Sequence, residues 1–161
     1  VVSQDGVQLG ELVLVGGVRP AHAVRVHREA LHVLRSSLDA AHVDAYSGDA
    51  WPPEVLHSYE RALSLARDEV VRGSRSGRSD LGMGIDIDVQ DDGQFEVLSD
   101  LVPYTIHAEG WREGRLVFSA SDSGTALWIE VTQEQEVALL SRLGLLGIPS
   151  DALTVLAPWH Y

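Results

Sequence analysis

The chain has 161 residues, 45% hydrophobic and 22% charged, with a formal net charge of −12, which suits a single domain with a substantial core. It contains no cysteine, and all 12 of its basic residues are arginine. That composition excludes thiol nucleophiles, disulfides, cysteine-ligated zinc, iron–sulfur clusters, Schiff-base lysines and the lysine of a phosphate-binding P-loop.

The first element expected is a buried strand at Leu12-Val13-Leu14-Val15, closed by Gly16-Gly17. Pro20 then opens a helical pattern reaching about Ala41, with Val24, His27, Leu31, Leu34, Leu38 and Ala41 as its apolar stripe. A loop through Ser47-Gly48-Asp49 leads to Pro52-Pro53, which suits the first turn of a second helix. Its stripe is Val55, Leu56, Tyr59, Ala62, Leu63, Ala66 and Val70, and Gly73 stops it. Residues 73–79, rich in Gly, Ser and Arg, read as a flexible loop.

Beyond that loop the apolar period changes from 3.6 to 2. Ile85, Ile87 and Val89 alternate with Asp86 and Asp88, Asp91-Asp92-Gly93 reads as a turn, and Phe95 and Val97 extend the apolar face. Strands through Tyr104–Ala108, Leu116–Ala120 and Leu127–Val131 complete an antiparallel meander of about five strands with one buried face. Thr132 and Gln135 form a capping box that starts a short helix through Leu143, and Ala152–Leu156 suggests a last strand. The expected fold is α+β: this meander plus an N-terminal strand, with two long N-terminal helices and one short C-terminal helix on one face, in a single domain spanning 1–161. In element order it is similar to the helix-grip fold, which cradles hydrophobic ligands, although the C-terminal helix is short for that family.

Charge is unevenly spread. Residues 80–113 carry nine acids and one arginine, a net −8. Asp86, Asp88, Asp91, Asp92, Glu96 and Asp100 are expected on an acidic hairpin, where clustered carboxylates recognise a basic partner or bind a hard cation. The EF-hand spacing fails, because Ser99 stands where the bidentate Glu belongs. Trp111 and Arg112, at a predicted turn, are residue types of interface hot spots. Trp128 falls opposite the Leu127/Ile129 face, which suggests a second apolar face covered by a helix or another chain.

Two Glu-x-x-His units, Glu29/His32 and Glu54/His57, put a carboxylate and an imidazole on one side of each long helix. They resemble half of a di-iron carboxylate bundle, with Glu60 or Glu69 available as further ligands. Solvated helix faces are the simpler reading, and no metal or other cofactor is expected. Arg72, Arg75 and Arg78 could cradle a phosphate, but a soluble linker is the expectation. His27 on the apolar stripe reads as a core histidine, and His107 beside Glu109 as a general base without a nucleophile.

The function expected from these features is binding rather than catalysis: a small acidic protein recognising a basic protein, with an immunity- or antitoxin-type inhibitor as one concrete form. The proposed binding residues are Asp86, Asp88, Asp91, Asp92, Trp111 and Arg112. The alternative is a small-molecule or metal-dependent enzyme or binding protein with a pocket between helices and sheet, using Glu29, His32, Glu54 and His57. Nucleic acid and membrane are not expected as partners for so acidic a chain, and a homodimer stays open. With no apolar run of the roughly 20 residues a membrane span needs, and no leader at the N-terminus, the expected compartment is the cytoplasm.

Overall fold

The computed structural model describes residues 6, 8–75 and 80–157. In chain order the elements are β1 (Leu9–Leu14), α1 (Pro20–Leu34), β2 (Ala40–Val43), α2 (Leu56–Val71), β3 (Ile85–Ile87), α3 (Asp92–Leu101), β4 (His107–Arg112), β5 (Arg115–Ser121), β6 (Ala126–Thr132), α4 (Gln133–Leu145) and β7 (Leu153–Ala157). The class is α+β. The seven strands form one sheet in the order β3-β2-β4-β5-β6-β1-β7, and every pairing is antiparallel.

Strand alternation gives this sheet two unlike faces. The inner face follows the cross-strand partners Ile85–Val43–Ala108–Ala120–Leu127 and Ile87–Ala41–Gly110–Phe118–Ile129–Leu12. Apart from Gly110, these residues join one core with Leu31 and Leu34 of α1, Ala62 and Ala66 of α2, Phe95 and Leu98 of α3, and Leu139 and Leu143 of α4. All four helices therefore cover this face, and among the described residues no helix covers the other. Gly110 lets the helix side approach closely: a Cβ there would lie 2.8 Å from Leu38 Cδ2 and 3.3 Å from Phe118 Cβ, so a side chain would have to displace the Leu38 tip.

Three expected elements differ. The first helix ends at Leu34, passes through a 3₁₀ turn at Arg35–Ser37, and is followed by β2 rather than continuing to Ala41. Ser36, Ser37 and Asp39 are poor helix formers whose side chains compete for backbone hydrogen bonds. The 40–43 segment instead gains two strand neighbours, β3 and β4. The supposed acidic hairpin is a strand, a turn and a helix. Asp91 is the N-cap of α3, its side chain accepting from Gln94 N, and Phe95, Leu98, Leu101 and Val102 recur at helical spacing as buried residues. The meander consequently shrinks to β4-β5-β6. The stripe of α2 is also rotated, so that Ser58 and Glu69 are buried while Leu56 is exposed.

The strand expected at Tyr104–Ala108 is β4 at His107–Arg112, so Trp111 and Arg112 lie in the sheet rather than at a turn. Thr105 before it is buried while Ile106 is exposed. Several other local expectations match. β1 overlaps the expected strand at Leu12–Val15 but starts three residues earlier, at Leu9, and β7 lies within one residue of the expected last strand. Gly73 follows α2 with φ at 77°. Thr132 and Gln135 form the reciprocal capping box of α4.

Candidate functional site

The acidic stretch is largely tied to α1 and α2. Arg35 reaches the start of α3, donating to Val89 O at 2.8 Å and Asp92 Oδ1 at 2.7 Å, with its guanidinium 4.3 Å from the Phe95 ring centre. Seven residues earlier on α1, Arg28 donates to Ser99 O at 3.2 Å and Asp100 O at 3.3 Å, near the C-terminal end of α3. Asp100 also accepts from Ser58 Oγ at 2.6 Å, and Glu96 lies 3.8 Å from Arg61. Arg28 on α1 and Arg35 in the turn just after it thus grip both ends of α3. The carboxylates at 92, 96 and 100 face protein cations, and Asp91 serves the helix cap. Asp88 accepts from Gln90 N at 3.0 Å in the preceding turn. Asp86 stands apart from these, exposed on β3 opposite His42.

The two Glu-x-x-His units stay separate, with α3 contacting both α1 and α2. Glu29 is buried and ion-paired with Arg142 of α4, while His32 is exposed and lies edge-on to Phe95. Glu54 and His57 are both exposed, but only His57 lies in α2; Glu54 falls in the 3₁₀ turn Pro53–Val55 before it, so this unit does not share one helix as expected. Among the described residues, none of the four belongs to a group of three close metal-ligating side chains. An open cleft of about 490 Å³ beside α1 and α4 is lined by His32, Glu134, Gln135 and Arg142 among others, but by none of the other three.

Arg75 is not a free phosphate ligand. Its side chain is 10% exposed, pairs with Glu69 at 3.2 Å, and donates to Leu81 O at 2.9 Å and to Met83 O. It anchors the chain after α2, whereas residues 76–79, the rest of the expected flexible loop, lie outside the described residues. Trp51 also has a structural role, stacking on Tyr59 with its Nε1–H donating to Tyr46 O at 2.9 Å. His27 is buried: its Nδ1–H donates to Ala23 O at 2.7 Å, and its Nε2 has no partner. Burial is the main cause of its lowered pKa; Arg28 acts in the same direction and the Ala23 hydrogen bond opposes them.

The outer sheet face gathers the remaining functional side chains. One cross-strand row runs Asp86–His42–Glu109–Ser119–Trp128–Val13. His107 lies two residues before Glu109 on the same face. Its Nε2–H donates to Glu109 Oε1 at 2.6 Å, His42 Nε2 lies 3.9 Å from Glu109 Oε2, and the two imidazole centres are 5.9 Å apart. The side chains of His42, His107 and Glu109 are 31%, 39% and 20% exposed. Buried Thr105 fixes the strand ends beside them, its Oγ1 donating to Asp44 O and accepting from His107 N at 3.2 Å.

Farther along the face, Trp128 Nε1–H donates to Glu11 Oε1 at 3.0 Å, and Arg115 pairs with Glu130. Trp111 is half-buried opposite Ala40 and Leu116, and half-buried Arg112 ends β4. The face is therefore a mixed aromatic and polar surface, and the trio at one end combines two imidazoles with a carboxylate. The His-x-Glu alternation at 107–109 was visible in sequence. His42 was hidden because its segment reads as the end of a helix.

No protein-family model, curated protein or solved structure matches the chain. Among the described residues, no helix is long and apolar enough to cross a membrane.

Proposed function

We propose that this protein works by binding a macromolecular partner with a basic surface, and that the partner docks on the outer face of the sheet. The observation that carries this reading is the composition of that face: Trp111 and Trp128 stand among Asp86, Glu109 and Glu11 on the side of the sheet that no described helix covers. Half-buried tryptophans supply contact area with little conformational entropy to lose, and surrounding carboxylates steer a basic partner and set its orientation. The overall charge of −12 acts in the same direction at longer range. An inhibitor of a basic toxin or nuclease, of the immunity or antitoxin type, is the most concrete form of this function.

Of the residues expected to bind, Asp86 and Trp111 are central to the proposed surface, with Arg112 at its end. Asp88, Asp91 and Asp92 lie at or beside the α3 N-terminus and contribute mainly through long-range charge.

The test is a paired capture from native lysate with the wild-type chain, Asp86→Asn/Trp111→Ala, and Asp92→Asn, followed by titration of the identified partner at low and high salt. The expected result is a stoichiometric basic protein released by salt, lost by the double variant and kept by Asp92→Asn. A wild-type chain that retains nothing at either salt overturns the reading. So does a partner indifferent both to salt and to the outer-face substitutions.

A further inference from the structure

His42 and Glu109 are cross-strand partners on β2 and β4, and His107 shares the face of Glu109. The core-facing neighbours Ala41, Val43 and Ala108 are buried, so the backbone that presents these three side chains is fixed from behind. One nitrogen from each imidazole and one carboxylate oxygen all lie within 4.8 Å of one another. Among the described residues this is the one group of three His, Asp or Glu side chains with that spacing.

We propose that His42, His107 and Glu109 form a binding site for one divalent transition-metal ion, with Zn²⁺ the best fit. Two imidazoles and one carboxylate suit zinc and its neighbours better than magnesium or calcium, which favour all-oxygen surroundings. Zinc bonds of about 2.0–2.1 Å in a tetrahedral site place ligand atoms about 3.3 Å apart. His107 lies 2.6 Å from Glu109 Oε1 and His42 3.9 Å from Glu109 Oε2, so the carboxylate must turn to offer one oxygen to the metal, opening the first separation and closing the second. The three ligand atoms already lie within 4.8 Å of one another, so shifts of up to about 1.5 Å suffice, and partly exposed side chains make them by rotation without disturbing the core.

The chemistry of the exchange is simple. His107 now donates Nε2–H to the carboxylate. On metal binding both imidazoles carry their proton on Nδ1 and offer the Nε2 lone pair, and Glu109 turns from hydrogen-bond acceptor to ligand. Three protein ligands leave a fourth position directed away from the sheet, open to water or to a donor from a bound macromolecule. Exposed Asp86, the cross-strand neighbour of His42, adds negative charge that favours the cation.

The experiment is a Zn²⁺ titration of the full chain without an affinity tag, after removal of metal by a chelator, read by calorimetry and by the visible spectrum of Co²⁺ in the same site. The expected result is one equivalent bound. Loss of groups that merely support a ligand costs about 10–100-fold in metal affinity, so His42→Ala and His107→Ala each weaken binding at least about tenfold. His32→Ala and His57→Ala leave it unchanged. His107→Gln keeps a donor for Glu109 and must lose the metal as the alanine variant does. If the glutamine variant still binds while the alanine variant does not, loss of structure explains the alanine result and the proposal fails. It also fails if the wild-type chain binds no stoichiometric zinc, or if binding follows His32 or His57. The titration needs no partner protein, so its outcome is separate from that of the proposed docking surface.

Discussion

The two faces of the sheet come from the same strands and share almost no chemistry. On the inner face Ala41, Ala108, Phe118, Ile129 and Leu12 meet the helices and exclude water. On the outer face His42, Glu109, Ser119 and Trp128 take the intervening positions, and polar groups are satisfied by one another rather than by a covering layer. Glu130 shows the limit of this arrangement: its side chain is only 6% exposed, and Arg115 balances its charge. The inner face specifies the fold by burial, a requirement that admits many apolar sequences. The outer face is free of that requirement, so its particular set of histidines, carboxylates and tryptophans points to function.

Large-to-small substitutions on the two faces break this comparison most directly. Phe118 is 1% exposed at the centre of the core, and Phe118→Ala should lower the free energy of unfolding by about 3–5 kcal/mol in urea titrations. Trp128→Ala, one cross-strand row away on the outer face, should cost less, about 1–2 kcal/mol. Equal losses would mean that the outer face belongs to a core and is not a docking surface.

The histidines on the two sides of the sheet sharpen the contrast. Burial holds the His27 pKa below the ordinary imidazole value of about 6.5, so the unfolded chain takes up that proton first as pH falls. The His27 contribution should therefore leave stability level above about pH 6.5. Below it, stability should decline by at most about 1.4 kcal/mol per pH unit until the folded-state value is reached. His27→Leu should flatten the curve below about pH 6.5, measured by urea midpoints at successive pH values. An unchanged slope would mean that the unpartnered Nε2 is not held dry.

Much of the fold was legible locally. The Thr132–Gln135 capping box, the Pro-led start of α1 and the alternation through β5 and β6 are short-range patterns, and each produced its element. What failed depended on distant partners. Leu38 and Ala41 continue the apparent stripe of α1, but Ala41 is a strand residue because β3 and β4 flank it. Asp91-Asp92-Gly93 suits a turn and a helix cap equally, and the helix prevails with Arg28 and Arg35 holding both of its ends. The candidate trio was half legible for the same reason: His107 and Glu109 lie two residues apart, whereas His42 joins them only through strand pairing.

The acids of α3 give the smallest effect and the finest distinction. Asp91 accepts from Gln94 N at 2.9 Å as the N-cap, and its loss leaves an amide of the first helical turn without that acceptor. Asp91→Ala should therefore cost about 1 kcal/mol in urea titrations. Asp92 pairs with Arg35 while almost fully exposed, where water and salt screen the attraction, so Asp92→Asn should leave the unfolding midpoint unchanged. Neither substitution touches the outer face, so both variants should keep whatever partner or metal the wild-type chain binds. If Asp92→Asn removed partner binding while stability held, the acidic helix rather than the sheet face would be the recognition surface. The location of the docking site would then have to be reassigned to the end of the molecule gripped by Arg35.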